Sequence, residues 1–300
     1  MKVIIGSRGS KLALWQANWV GNQLAAGGHV VEIRIIKTTG DKLANTLPAQ
    51  SGTKGLFIKE IEEALLAREV DVAVHSLKDL PTELPEGLCV AAVPRRDDAR
   101  DVLVAGETCA ELNPGARVGT SSLRRQVQLR HLRQDLELVL MRGNLDTRLR
   151  KLDGGYCDAL VLAAAGMHRL ELGRRIRQYF AVEQICPAVG QGALAIEIRQ
   201  NDDPMRSAVT PLDDSATHSA IRAERTALRQ LGGGCQAPIA AYARLEDGKL
   251  HLAGMVARSD GSRLLRSTAA GPASDPEGVG TALAEDLLHQ GARAILNGVP

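Results

Sequence analysis

Aromatic side chains are scarce in this sequence. Phe, Tyr and Trp make up only 2% of its 300 residues, although 44% of the residues are hydrophobic. The interior must therefore be packed mainly with Val, Ile, Leu and Ala. The chain is long enough for two or three domains that each bury a core. Its 24% of charged residues is ordinary for globular proteins.

Cysteine is also infrequent, and metal-ligand spacings are missing. The five cysteines are odd in number, and no two are close enough for a zinc or redox pair. This pattern indicates a reducing compartment, where disulfides do not persist. The seven histidines show no metal-ligand spacing, so we expect no metal. The cysteines are Cys89, Cys109, Cys157, Cys186 and Cys235.

Long hydrophobic runs are absent. No run approaches the roughly 20 apolar residues that a membrane-spanning helix needs. The apolar run in the opening MKVIIGSRGS is too short for a signal peptide. We therefore expect a soluble, cytoplasmic protein that does not associate with membranes.

Charges of the two signs nearly balance, but arginine dominates the basic residues. The net charge is +2, and 28 of the 37 basic residues are Arg. The planar guanidinium group suits bidentate binding of carboxylate or phosphate. Codon bias would give the same composition, so that alternative stays open.

The order of apolar stretches predicts two α/β units, followed by a C-terminal segment in which strands no longer alternate with helices. Residues 1–95 alternate strands with amphipathic helices, and a second unit in the same style starts near Arg100. Such alternation favours parallel sheets. From about Ser215 a helix is followed by three strand-like stretches, which EDGK and SDGS turns separate, and by a last helix. This order predicts a small α+β domain with an antiparallel sheet.

Lys78 and Asp79 follow an apolar strand that we predict over residues 70–77. In open α/β sheets, ligands bind outside the carboxyl ends of the strands, so the pair lies where a site is expected. The alternative is a solvated charge pair between strand and loop, which is the commoner occurrence for an isolated Lys–Asp pair.

The segment GTSSLRRQ places hydroxyls and two arginines at a predicted helix start, with Thr120 or Ser121 as the cap. Unpaired amides there bind anions. Arg124 and Arg125 oppose the helix dipole by roughly 0.3–1 kcal/mol each, which a bound anion would offset. We favour an anion site over tolerated surface charge.

A second arginine-rich segment, RGNLDTRL, also follows a predicted strand and carries Arg142 and Arg148. Residues 117–151 hold nine basic and three acidic residues, so nucleic acid is an alternative partner. Single-strand binders usually offer stacking aromatics, and this segment has none. A small ligand with several carboxylates fits better.

Three glycines precede Cys235 in LGGGCQAP and leave an uncrowded turn that displays it. A single cysteine is usually a small core residue, and the other four cysteines fit that description. For Cys235, a reactive and a structural role both stay open on these residues alone.

Taken together, these segments resemble the porphobilinogen deaminases. The resemblance implies two α/β domains like those of periplasmic binding proteins, which flank a cleft, and a C-terminal α+β domain with a three-stranded antiparallel sheet. The expected boundaries are residues 1–95 plus 192–212, residues 96–191 and residues 213–300. The matching segments, in order from Ser7 to about Ile239, are SRGSKLALWQ, KGLFIKE, VHSLKDLP, GTSSLRRQ, RGNLDTRL, AVGQGALAIE and GGGCQAPI.

The resemblance also implies an activity and a cofactor. Members of this family are monomeric transferases that join four porphobilinogen molecules head to tail with loss of ammonia. The product is hydroxymethylbilane, a precursor in tetrapyrrole and haem biosynthesis. The chain grows on a dipyrromethane cofactor, which a thioether to Cys235 would attach covalently. A solute-binding protein for dicarboxylates is the alternative function.

The resemblance assigns roles to residues by motif position. Asp79 matches the catalytic aspartate, and Lys78 matches a residue at substrate and cofactor. In the loop 42–54, the family more often has Asp near Asn45 and Gly at Thr53, which leaves the conformation of this loop open. The remaining matches are cofactor-binding Cys235, Arg124, Arg125, Lys54, Ser122 and Ser10, and substrate-binding Arg8, Arg142, Arg148 and Arg169.

Overall fold

The computed structural model describes residues 1–40, 57–232 and 237–298. The chain divides into two compact units, Met1–Asp97 with Ala193–His218 and Asp98–Gly192 with Ser219–Pro300. The second unit contains two separate sheets. The three-domain boundaries given above therefore stay a prediction.

Strands and helices alternate through most of the described residues. In chain order they are β1 (Lys2–Ser7), α1 (Lys11–Ala26), β2 (Val30–Ile35), α2 (Lys59–Leu66), β3 (Val72–Ser76), β4 (Leu88–Ala92), β5 (Asp101–Val104), β6 (Arg117–Gly119), α3 (Leu123–Leu132), β7 (Glu137–Val139), α4 (Leu145–Asp153), β8 (Ala159–Ala163), α5 (Ala164–Arg169), β9 (Gln178–Tyr179), β10 (Leu194–Arg199), α6 (Asp203–Val209), α7 (Ser215–Gln230), β11 (Ile239–Glu246), β12 (Lys249–Ala257), β13 (Leu264–Pro272), α8 (Pro276–His289) and α9 (Ala292–Leu296).

The sheet of the first unit has the order β2-β1-β3-β10-β4. β1 pairs in parallel with β2 and β3, whereas β10 runs antiparallel to β3 and β4. The expectation of parallel sheets is therefore wrong for this part of the sheet. The reason is topological, because β10 returns from a distant part of the chain and no helical crossover links it to its neighbours.

Helices α1 and α2 pack on opposite faces of this sheet. Ser10 caps α1, because its side chain accepts a hydrogen bond from the Ala13 amide at 3.3 Å. The buried face of α1 centres on Ala17, Val20 and Leu24, which pack on the sheet. Trp15 is only half-buried. On the opposite face, α2 packs with Ile61 and Leu65 inward.

The first sheet of the second unit has the order β7-β6-β8-β5-β9. β6 is parallel to β7 and β8, while β5 pairs antiparallel with β8 and β9. The N-cap of α3 is Ser122 rather than Thr120 or Ser121, and its side chain makes no capping hydrogen bond. Asn144 is the N-cap of α4, again without a capping hydrogen bond from its side chain.

The tail forms the predicted antiparallel sheet in the order β11-β12-β13. The EDGK turn joins β11 to β12 with Asp247 and Gly248 both at positive φ (48° and 74°), a tight hairpin geometry. Helices α7, α8 and α9 cover the sheet with small and aliphatic side chains such as Ala227, Leu283 and Ile295. No helix within the described ranges is long and apolar enough to cross a membrane.

Candidate functional site

Lys78 and Asp79 lie at the carboxyl end of β3, in a short 3-10 turn formed by Leu77–Asp79. The Leu77 side chain is buried, and its amide donates to the carbonyl of Ala193 at 3.0 Å. Gln16 of α1 donates to the Ser76 hydroxyl at 2.8 Å. Asp79 is exposed and Lys78 is half-buried, so both charged side chains reach the surface. The hydrogen bonds of Ser76 and Leu77 fix the backbone of the turn that carries them.

Arg8 and Ser10 follow β1, the parallel neighbour of β3. Because the carboxyl ends of parallel strands meet at one edge, these two residues and the Lys78–Asp79 turn share that edge of the sheet. The Arg8 guanidinium lies over the Phe57 ring, 4.2 Å from its centroid, a cation–π contact. The Ser10 hydroxyl oxygen already accepts the capping hydrogen bond of α1.

Arg124 and Arg125 form a buried ion-pair cluster with Asp101 in the second unit. The Asp101 carboxylate is fully buried, and its two oxygens accept from Arg124 at 2.7 Å and from Arg125 at 2.6 Å. Arg124 also donates to the Cys186 carbonyl at 2.6 Å, and Arg125 to the Val161 carbonyl at 3.0 Å. The two guanidinium groups are therefore held inside the unit by protein acceptors.

The charge of this cluster controls the ionisation of Asp101. Burial by itself would raise the pKa of Asp101, but the charges of Arg124 and Arg125, with the hydrogen bonds that they and Gln191 donate, lower it to about 2. Two guanidinium groups against one carboxylate leave the cluster with one net positive charge. Sequence patterns did not identify Asp101, and its only signal was an acidic residue at the start of the apolar run DVLV.

Three further arginines lie at or near strand ends of the same sheet. Arg142 and Arg148 are half-buried around the start of α4, and Arg148 donates to the Gly143 carbonyl at 2.7 Å. Arg169 is the last residue of α5, which directly follows β8, and it donates to the Gly192 carbonyl at 2.7 Å. Ser122, after β6, is half-buried at the start of α3. Ser122 and Arg142 therefore follow the carboxyl ends of the parallel strands β6 and β7, and Arg169 lies one short helix beyond the end of β8.

Three of the four described cysteines are poorly suited to act as nucleophiles. Burial raises the pKa of Cys186 to about 12, and it also raises the pKa of Cys109 and Cys157. A thiol with a raised pKa carries little of the reactive thiolate at neutral pH. Cys89 is half-buried and accepts a hydrogen bond from Arg206 at 3.3 Å. Cys235, Lys54 and the loop 42–54 lie outside the described residues.

Family models match almost the whole chain. One, described as the dipyrromethane cofactor binding domain of porphobilinogen deaminase, matches residues 3–207, and one described as the porphobilinogen deaminase C-terminal domain matches residues 218–289. The porphobilinogen deaminase of Pelobacter propionicus is 50% identical over 98% of this chain and 96% of its own length. That of Thiobacillus denitrificans is 48% identical over 99% of this chain and 98% of its own length.

Among solved structures, the methionine binding protein MetQ matches with a TM-score of 0.46 and 12% identity, over 70% of this chain and 89% of its own. A TRAP periplasmic solute binding protein from Desulfovibrio salexigens matches with a TM-score of 0.43 and 13% identity, over 71% of this chain and 72% of its own.

The chain is thus an α/β protein of the class that carries a dipyrromethane cofactor binding domain, with a C-terminal three-stranded antiparallel sheet. It belongs to the porphobilinogen deaminase family. This family consists of enzymes, the hydroxymethylbilane synthases. The recognition made from the seven sequence segments is confirmed.

Proposed function

We propose that the chain joins four porphobilinogen molecules head to tail on the dipyrromethane and releases one ammonia at each addition. Water then cleaves the bond between the new tetrapyrrole and the dipyrromethane, which yields hydroxymethylbilane and leaves the cofactor on the protein. The observation that carries this proposal is identity of about 50% over nearly the full length of porphobilinogen deaminases. The same comparison disfavours the dicarboxylate solute-binding alternative, because those relatives are named as enzymes.

The residues of the second unit fit a dipyrromethane with its acetate and propionate groups. Such a polycarboxylate needs several cationic donors, and Arg142, Arg148 and Arg169 all follow parallel strands of one sheet. Arg124 and Arg125 add one net positive charge from inside the unit. Once bound, the dipyrromethane supplies the pyrrole end to which new units are added. Arg8, Ser10, Lys54 and Ser122 complete the proposed binding set.

Asp79 is the proposed catalytic group, with Lys78 beside it at substrate and cofactor. When porphobilinogen loses ammonia, its pyrrole becomes an electron-poor cation. The exposed Asp79 carboxylate can accept hydrogen bonds from pyrrole N–H groups and stabilise that positive charge. Because the charge develops only as ammonia leaves, this interaction strengthens toward the transition state.

Cys235 is the proposed attachment residue for the cofactor. Its support is the match of GGGCQAPI to the family motif and the burial of Cys109, Cys157 and Cys186. We also propose a cytoplasmic location, because the cytosol keeps thiols such as Cys235 reduced. The monomeric state that the family resemblance implies is part of the same proposal.

Intact-protein mass spectrometry tests both the cofactor and its position. We expect the purified protein to exceed its sequence mass by one dipyrromethane and the Cys235→Ser variant to lack this increment. The Cys89→Ser variant serves as the control and should keep it. An active wild-type protein of unmodified mass would contradict the proposal, and so would an increment that survives in Cys235→Ser.

A further inference from the structure

Three buried ionisable side chains lie between α2 and the face of the first sheet that α2 covers. They are Glu62 of α2, His75 of β3 and Glu197 of β10, with 8%, 6% and 0% of their surfaces exposed. The surrounding core is apolar and includes Ile61 and Ala73. Buried ionisable groups in such surroundings are costly unless they are paired or neutral.

The strand register brings two of these residues together. His75 is paired with Ala195, and Glu197 is paired with Ala73, so His75 and Glu197 are diagonal neighbours on one face. The His75 Nε2 and Glu197 Oε2 atoms are 2.9 Å apart. Among the described residues, Oε1 of Glu197 and Oε1 of Glu62 are both buried without a hydrogen-bond partner.

The other charged side chains on the elements that pack against Glu62 have partners of their own. On β10, Arg199 binds Asp71 and Asp202, and on α2, Lys59 pairs with Glu63. Glu60 accepts from Thr39, and Lys2 of β1 pairs with Glu32. The titratable side chain of β4, Cys89, packs in the core on the opposite face.

We propose that Glu62, His75 and Glu197 form one buried proton-holding cluster that positions the Lys78–Asp79 turn, with Glu62 kept as a neutral carboxylic acid. The positioning part rests on the function proposed above. Burial, and then the neighbouring charge of Glu197, raise the pKa of Glu62 to about 7. A protonated Glu62 carries an O–H group that can donate a hydrogen bond. Oε1 of Glu197 is a buried acceptor that has no donor in the part of the chain that the structure describes.

The cluster connects to the turn through β3. His75 is bound to Glu197, Ser76 accepts from Gln16, and the Leu77 amide is bound to Ala193, so consecutive residues are fixed just before Lys78. When Glu62 releases its proton to solvent, a second negative charge appears beside Glu197. Two buried carboxylates repel each other, and the strain falls on the strand that carries the turn. The three residues act on Asp79 through the backbone and are positioning residues.

The stability test compares Glu62→Gln with Glu63→Gln in the full-length holoenzyme. Glu63 is the neighbouring residue on α2, and its side chain is 60% exposed. Between pH 4.5, the ordinary value, and about pH 7, the folded state keeps a proton on Glu62 that the unfolded state has lost. Stability therefore falls as pH rises through this window. Glutamine has no proton to lose, so the melting temperature of Glu62→Gln relative to wild type should rise from pH 5 to pH 8, while Glu63→Gln shows no such trend.

The activity test measures kcat and KM for bilane formation at pH 6 and pH 8. At pH 8 roughly nine-tenths of a group with a pKa near 7 is ionised, so kcat of the wild type should fall by up to about tenfold. Glu62→Gln should lose much less than wild type, and Glu63→Gln should behave as wild type. A merely structural role would not change the pH profile of kcat.

Each result supports or overturns a defined part of the proposal. A melting-temperature difference for Glu62→Gln that is constant with pH would overturn the proton-holding cluster, and parallel kcat profiles would overturn its positioning role. If Glu62→Gln does not fold, Glu197→Gln replaces it and should reduce the pH-dependent loss, because the neighbouring charge is gone. If the wild type forms no bilane, the proposed function fails, while the melting measurements still decide the cluster.

Discussion

At the scale of single residues, the position of the Asp79 carboxylate decides its chemistry. The side chain is exposed at the end of the Leu77–Asp79 turn. The first residue of this turn, Leu77, is buried, and its amide donates to the Ala193 carbonyl. Such a carboxylate is fixed by its backbone and still accessible to a ligand. This combination suits electrostatic stabilisation that is prepared before the charge appears.

We expect the Asp79→Asn variant to remain folded and to lose turnover by about a hundredfold to a thousandfold, the usual cost of removing one preorganised electrostatic group. Asp79→Glu keeps the charge but displaces it, so it should retain more activity. Steady-state bilane formation, with folding checked by circular dichroism, measures both effects. Turnover of Asp79→Asn close to that of wild type would exclude the catalytic role.

The arginines separate into two groups that substitutions should distinguish. Arg124→Leu leaves the buried Asp101 with one of its two ion pairs, and breaking a buried pair costs about 3–5 kcal/mol. Arg142 is half-buried, so Arg142→Leu should lower the unfolding free energy by less than Arg124→Leu does. It should instead weaken substrate binding by about 1.5–3 kcal/mol, the value of a charge-assisted hydrogen bond.

Urea denaturation and steady-state kinetics on Arg124→Leu and Arg142→Leu test this division. Equal stability of the two variants would show that the Arg124–Asp101 pair contributes little. Normal kinetics in Arg142→Leu would remove it from the proposed binding set.

At the scale of elements, the turn that leads into α4 depends on Gly143. Its φ is 111°, and a Cβ atom there would lie 2.8 Å from Thr147 Cγ2. The Gly143 carbonyl also accepts the hydrogen bond that orients Arg148. The backbone conformation and the arginine geometry are therefore coupled at this one residue.

We expect Gly143→Ala to destabilise the protein by more than the roughly 1–2 kcal/mol of a left-handed backbone alone, and to raise KM for porphobilinogen. Gly155→Ala is the matched control, because Gly155 also has a positive φ of 75° but has no neighbour within 4 Å of an added Cβ. Thermal melting and KM measurements on both variants compare them. Equal melting temperatures and equal KM values for the two variants would show that the contact of an added Cβ with Thr147 costs nothing.

At the scale of the whole molecule, the charge cluster around Asp101 should influence acid stability. The folded-state pKa of Asp101, about 2, lies below its ordinary value of 3.8. The stability gained from its ionisation is therefore complete above about pH 4 and is lost as pH falls toward 2. The difference corresponds to about 2 kcal/mol.

We expect the stability gap between wild type and Asp101→Asn to shrink by about this amount between pH 4 and pH 2. Asp101→Asn leaves two buried guanidinium groups uncompensated, so the variant should be the less stable protein at pH 6. Chemical denaturation across this pH range measures the gap. A stability gap that stays constant down to pH 2 would show that Arg124 and Arg125 do not lower the pKa of Asp101.

The positions of most strands and helices, the antiparallel tail sheet and the family could all be predicted from the amino-acid sequence. These features depend on local periodicity, on caps such as Ser10 and on the order of short segments, all of which can be read from neighbouring residues. Three features could not be predicted in this way and depend on the folded chain. They are the direction of β10, the pairing of Arg124 and Arg125 with Asp101, and the contact of His75 with Glu197. Each of these features brings together residues that are far apart in the chain. The partner of a buried charge is therefore not visible in the residues next to it in the sequence, because the fold brings that partner from elsewhere.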